Sequence, residues 1–335
     1  MINVKTVAFA AAASVSLGTA SYGEEAKYIL ATASTGGTYY PVGVALSTLV
    51  KVKLEPKQKI GMSAISSAGS GENVRLLREN EAQFAIMQGL FGSYAATGTG
   101  PISESGPQEN LRSVTMLWQN VEQFVISKDA ASSGTAMDMV ALKGEGMALG
   151  RQNSGTIGSN RTLLSGLGID MDNDYELVFA GYGPSAEALQ NGQVKGIGTP
   201  AGVPTGAVSQ LMAAAGDSVM PLDITDDEMM KMDGGRNLWT RFVIPAGTYP
   251  NQANDWNTIA QPNFLATSAD LPEENVYMIT KTIYENLPFL QAIHPATKAM
   301  ALEKAIAGLP VPLHAGAAKF YMEQGIEIPD RLMAK

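Results

Sequence analysis

The sequence predicts an α/β protein of two lobes, each a mostly parallel sheet flanked by helices. Three observations predict it. Short apolar strands alternate with helical patterns through two successive sets of residues. The length of 335 residues fits two domains, at roughly 100–200 residues per domain. At least four strands end in a small polar turn that opens a helix, two turns in each half. Ligands of open α/β sheets bind at that end of the strands, so the turns place a cleft between the lobes.

The elements follow in order. Residues 1–23, MINVKTVAFAAAASVSLGTASYG, have the layout of a secretory signal peptide. Lys5 precedes an apolar run from Val7 to Leu17, and small residues follow from Gly18 to Ser21. The run is too short for a bilayer core of ~30 Å, and cleavage is expected between Ala20 and Glu24; a core helix is the alternative. Tyr28–Ser34 is a strand, and Val42, Ala45, Leu46, Leu49 and Val50 then recur at helical spacing. Ile60–Ser67 is a second strand. Ser70 is expected to N-cap the next helix, with Glu72 and Asn73 in its first turn. Gln83–Gly89 is a third strand, residues 98–110 a polar loop, and LRSVTMLWQN and VEQFVISKD two strand-like runs.

The second set repeats the alternation. Val140–Gly150 ends in a strand, a helix carries Ile157, Leu163 and Leu164, and Tyr175–Gly181 is a strand. PSAEALQNG is a short helix with Pro184 in its first turn and Gly192 as its stop. VKGIGTP is a strand and PTGAVSQLMAAAG a helix. The last part reads as three helices: EENVYMITKTIYENL, ATKAMALEKAIAGL and GAAKFYMEQG.

Composition narrows the function. A formal net charge of -9 argues against nucleic acid or an anionic membrane surface as partner. The absence of Cys excludes disulfides, thiolate catalysis and iron–sulfur clusters. With two His, imidazole-rich metal sites are not expected. No P-loop is present, and no GxGxxG with an acid about 20 residues on. G-x-S-x-G is absent around Ser154. His294 and His314 read as caps or packing residues. Asp170, Asp172 and Asp174 lack the Gly and closing Glu of a calcium loop and read as a solvated turn. The run Asp223–Met230 reads as a solvated helix start. Arg151 and Arg161 bracket the NSGT turn; either suits a carboxylate clamp, with a surface role the favoured reading. No catalytic residue, metal or cofactor is expected.

The chemistry lies in the turns. They are Ser34-Thr35-Gly36-Gly37-Thr38, Ala68-Gly69-Ser70-Gly71, Asn153-Ser154-Gly155-Thr156 and Gly181-Tyr182-Gly183-Pro184-Ser185. Helix N-termini carry unpaired N–H groups and about half a positive charge. Gly lets backbone approach a ligand, and Ser and Thr add hydroxyl donors. Together they form an anion-binding rim.

STGGTYYPVG, SAGSGENVRLL, NSGT and GLPVPLHAGAAKFYMEQGI, with the signal peptide, resemble the TAXI-type solute receptors of tripartite ATP-independent periplasmic (TRAP) transporters. The likeness runs over most of residues 27–328. It implies a two-lobed periplasmic binding protein, type II-like, that closes on a small organic acid or amino acid: glutamate, glutamine or a 2-oxoglutarate-like compound. It implies periplasmic localisation, delivery to TRAP membrane subunits and no catalysis. It carries Gly36, Gly37, Thr38 and Tyr39 onto the first binding turn, with Ser34 and Thr35 beside them. It carries Ser70 and Asn73 onto the second turn, Gln88 onto the third strand's end, and Ser154, Gly155 and Thr156 onto the opposite lobe. Tyr39 or Tyr182 is expected to cover the solute's carbon chain. ALKGEGMALGRQNSGT and NGQVKGIGTPAG depart from the family pattern, the second lacking the usual Ile-Asp-Ala. Crossings between lobes are expected near 119–129 and 257–270. They set residues 24–124 plus 259–335 as lobe I and 125–258 as lobe II. Two alternatives stand beside this reading: a binding protein for a sensor or an ATP-driven transporter, and an exported enzyme with Glu72 as base.

Overall fold

The computed structural model describes residues 25–334, so the expected signal peptide lies outside the described residues. The chain opens with β1 (Ala26–Ala31), α1 (Tyr39–Gln58), β2 (Ile60–Ile65), α2 (Ser70–Arg78), β3 (Phe84–Gln88) and α3 (Gly89–Thr97). It continues with β4 (Leu111–Val121), β5 (Phe124–Ser127), β6 (Gly146–Ala148), α4 (Gly155–Gly166), α5 (Met171–Asp174) and β7 (Glu176–Leu177). Next come α6 (Tyr182–Gln190), β8 (Gly196–Gly198), α7 (Gly206–Ala215), β9 (Val219–Pro221), α8 (Asp226–Asp233) and β10 (Thr240–Ile244). The last elements are β11 (Trp256–Ser268), α9 (Glu273–Glu285), α10 (Leu287–Ile293) and α11 (Ala315–Glu323).

Two sheets form. The first has the order β10-β11-β3-β1-β2, with β4 also paired to β11; the second has the order β7-β6-β8-β5-β9. Strands joined by helices run parallel: β1 with β2 and β3, and β6 with β7 and β8. Strands that carry the chain between sheets run antiparallel to their neighbours: β11 with β3, β4 and β10, and β5 with β8 and β9. The sheets are therefore mixed, with the parallel part where βα units succeed one another. The architecture is a two-lobed α/β fold.

Each sheet has its own core. Leu30, Phe84, Phe264 and the buried face of α1, including Val42, Leu46 and Leu49, pack in the first. β5 shows the strand period of two. Phe124 and Ile126 enter one second-sheet cluster with Met147 and Leu163, while Val125 enters the opposite one with Ile197 and Val208. Glu122 and Gln123 join β4 to β5 and so pass from the first sheet to the second. The return is made inside β11. Its start, Trp256, packs beside Val125 and Ile197, and its later Phe264 and Leu265 pack in the first core. β10 is hydrogen-bonded to β11 in the first sheet, yet its Ile244 packs with the second-sheet residues.

Several local expectations are corrected. ATKAMALEKAIAGL is not an α-helix: it makes two short 3₁₀ turns, Pro295–Ala299 and Leu302–Lys304. Its repeat of small residues and Leu lacks an N-cap after Pro295, and His294 instead caps the short turn through the Ala296 N–H. Ser70 is the first helical residue of α2, and Gly69 at φ +116° is its N-cap. The strand read as Tyr175–Gly181 has two paired residues, Glu176 and Leu177. Glu228, in the acidic run, is buried; it closes a capping box with Thr225 and accepts from Thr135 Oγ1 at 2.6 Å.

Candidate functional site

Four helix starts meet at one cavity between the lobes. The turns before α1 and α2 supply one wall, and those before α4 and α6 supply the other. The space open to the centre of a water-sized sphere is about 30 Å³. One water needs roughly 10–15 Å³ of such space, so the cavity is narrow. No Asp or Glu lines the cavity, and Arg151 is the one charged residue that does among the described residues.

Several lining polar groups are held by their own lobes. Ser70 Oγ accepts from the Gln88 N–H at 3.1 Å, which ties α2 to the end of β3. Ser154 caps α4, its Oγ accepting from the Ile157 N–H at 3.0 Å. The Tyr39 hydroxyl donates to Asn263 Oδ1. The Tyr182 hydroxyl donates to the Pro200 carbonyl at 2.6 Å and lies 2.7 Å from Thr156 Oγ1. Burial pushes both phenols above their ordinary range, so they remain protonated donors. The N–H groups of Tyr39, Ser70, Gly155, Thr156 and Tyr182 head their helices and have no carbonyl one turn back. Gln88 is 3% exposed, and its Oε1 is buried without a hydrogen-bond partner beside the cavity. A buried amide left unpaired costs free energy unless water or a ligand meets it.

Backbone closes the rim. The Glu72 N–H donates to the Asn153 carbonyl at 2.9 Å, and the Ala207 N–H to the Gly36 carbonyl at 3.4 Å. Thr38 Oγ1 donates to the Gly202 carbonyl at 3.0 Å, and Arg151 Nη1 to the Ser67 carbonyl at 3.3 Å. Side chains have no room at the closest approach. A Cβ on Gly71 would lie 2.4 Å from the Asn153 oxygen, and one on Gly155 would lie 2.7 Å from Ser70 Oγ.

Of the residues expected at the site, Ser34, Gly37, Thr38, Tyr39, Ser70, Gln88, Ser154, Gly155, Thr156 and Tyr182 line this cavity. Three do not. Thr35 is exposed, because it sits at the outer tip of its turn. Gly36 faces the other lobe, where an added Cβ would lie 3.1 Å from the Gly183 nitrogen. Asn73 is fully buried behind the wall: its Nδ2 donates to the Thr32 and Ile86 carbonyls and its Oδ1 accepts from Ser67 Oγ. It holds the turn and does not face the cavity. Arg151 is the lining residue that the surface reading set aside; its position directly before the NSGT turn was the available signal. Arg161 lies away, paired with Asp172 through two contacts of 2.6 Å. Ala180, Pro200 and Ala201 also line the space; their small apolar side chains carried no sequence signal.

Among the described residues no group of three or more His, Cys, Asp or Glu is placed to hold a metal ion, and no helix is long and apolar enough to cross a membrane. His314 caps α11, its Nδ1 accepting from the Gly316 N–H at 3.1 Å. Glu72 is engaged by the Ala68 N–H at 2.5 Å and by Arg75.

Two sheets joined by two crossings, with helix starts converging on the gap between them, define a two-lobed binding-protein fold. Solved structures share it. A protein of Bordetella bronchiseptica RB50 aligns with a TM-score of 0.53 at 14% identity, over 89% of this chain and 82% of that one. PhnD1 of Prochlorococcus marinus, solved in complex with methylphosphonate, aligns with a TM-score of 0.53 at 12% identity, over 82% of this chain and 92% of that one. The chain belongs to the NMT1-like family, whose model matches residues 30–325.

Proposed function

We propose that this protein is an exported solute receptor. Its lobes close on a small organic acid, of glutamate, glutamine or 2-oxoglutarate type, and it hands the solute to TRAP membrane subunits. The observation that carries the reading is the convergence of four helix N-termini on one acid-free cavity. A carboxylate there meets aligned N–H groups, the hydroxyls of Ser34 and Ser70, and Arg151 at the mouth. The closing rings are Tyr39 from one lobe and Tyr182 from the other. The TAXI-like blocks STGGTYYPVG and GLPVPLHAGAAKFYMEQGI support the TRAP partner. The signal-peptide layout of residues 1–23 supports the periplasm as its location. Residues 24–124 plus 259–335 form lobe I and 125–258 lobe II in this reading, with β10 lying along the boundary. Engagement of Glu72 and both His in capping supports a receptor without catalysis.

A second reading is a phosphonate receptor for an ATP-driven importer, favoured by the fold shared with methylphosphonate-bound PhnD1. A thermal-shift series on the chain from about residue 24, with glutamate, glutamine, 2-oxoglutarate and methylphosphonate, separates the two. A solute at 100 times its dissociation constant stabilises by about 2.7 kcal/mol. A shift with one of the first three supports the TRAP reading, and a shift with methylphosphonate alone replaces it. No shift, before or after unfolding and refolding to strip a bound solute, overturns both.

A further inference from the structure

Glu122 is the residue on which the chain leaves the first sheet for the second, and it is fully buried. Its backbone is fixed to the return strand: its N–H donates to the Ile259 carbonyl at 2.9 Å, and its carbonyl accepts from Thr258 Oγ1 at 2.6 Å. Its Oε1 accepts from the indole N–H of Trp239 at 2.9 Å, whereas its Oε2 has no partner. No cation pairs with it among the described residues. The groups that face it are the Trp239 indole and the Gln261 amide, with the phenols of Tyr39 and Tyr182 close enough to sense its charge. All are neutral. An uncompensated buried carboxylate is costly, and the group responds by holding its proton. Desolvation accordingly raises its pKa to about 8, with Trp239 and Gln261 opposing the rise.

The site is also placed to sense movement. Trp239 and Ile259 pack in a second-sheet cluster, and Gln261 lies further along β11 toward the first core. The carboxyl therefore sits in the seam about which the lobes must rotate. Parting the lobes would admit water to it and so would remove the desolvation that keeps the proton on.

We propose that Glu122 is a proton site at the hinge: its carboxyl is neutral while the lobes are closed and releases its proton to water as they part. The link to solute capture rests on the receptor reading above; the hinge behaviour itself needs no solute. Closure would take up a proton, and capture at a fixed solute concentration would weaken as pH rises.

The test uses solute-free protein, so its failure is distinct from failure to find the solute. X-ray scattering follows the radius of gyration from about pH 6 to pH 9.5, a range that brackets the Glu122 titration near about 8. In parallel, infrared difference spectra between the two end points report the C=O stretch of a protonated carboxyl. The wild type is expected to expand through the upper half of the range as that band disappears. Glu122→Gln, which keeps the shape and removes the proton, is expected to stay closed and to lack the band. Trp239→Phe, which removes the donor that favours the carboxylate, is expected to move the expansion to higher pH. A wild-type radius independent of pH, an equal expansion in Glu122→Gln, or the same band in both proteins overturns the proposal.

Discussion

The cleft and the hinge are both polar, and they are polar in opposite ways. At the cleft, polarity comes from helix starts and hydroxyls, is neutral apart from Arg151, and is left open for a solute. At the hinge, polarity comes from long side chains that are fully buried. Asn120, Glu122, Gln123, Gln261 and Asn263 all have 0% exposure. Dipoles at the cleft can hold an anion without a buried counter-ion that would need a partner when the cleft is empty. The hinge holds its acid without a counter-ion and so makes that acid depend on proton concentration.

The largest effect expected from this contrast is at the hinge. The folded carboxyl of Glu122 keeps its proton up to about 8, and the unfolded one loses it near 4.5. Between those values the folded state binds the extra proton, so stability falls as pH rises. Glu122→Gln should remove a loss on the order of several kcal/mol across that window. Urea unfolding of both proteins at stepped pH checks this; parallel curves would place Glu122 outside the titration. At the cleft, Gly155→Ala puts a methyl 2.7 Å from Ser70 Oγ and 2.9 Å from Gln88 Oε1. It should lower solute affinity roughly 100-fold, which is about 2.7 kcal/mol, and leave urea stability near wild type. Calorimetry with the solute found by thermal shift reads the first number. Unchanged affinity would mean that the solute does not sit between these walls.

Smaller changes sharpen the same comparison. Arg151→Ala should weaken binding by about 1 kcal/mol and reduce its salt dependence, since this cation is exposed at the mouth. Stopped-flow association at two ionic strengths tests it. Thr35→Ala should change affinity by less than about 0.5 kcal/mol because the side chain points outward. A larger loss by calorimetry would show that the turn reaches the solute from outside the cavity.

The legible parts were those with a local cause. The α1 face was readable from Val42, Ala45, Leu46, Leu49 and Val50, which are all buried. The turn residues were readable because Ser, Thr and Gly before a helical pattern have a definite electrostatic meaning. What was not legible depends on distant partners. Asn73 looks like any polar residue in a first turn, and only the Thr32 carbonyl just after β1 and the Ile86 carbonyl of β3 make it a brace. α3 follows β3 directly without a polar turn, so GLFGSYAAT gave no start signal; its Phe91 packs where Gly158 of α4 leaves room. Glu122 stood unremarked in a strand-like run because its burial follows from two crossings that meet, and no window of sequence contains both.

β4 and β11 pair from Leu111 with Ser268 to Val121 with Ala260, with register shifts between Pro262 and Phe264 and between Leu265 and Ala266, so the hinge rests on a strand ladder and not on a loop. Its amide protons should therefore exchange with deuterium slowly, near the rate set by global unfolding. The rim amides of Glu72 and Ala207, each bonded across the gap, should exchange at the rate of lobe opening. The ratio of the two rates would measure how often an empty receptor parts its lobes without unfolding.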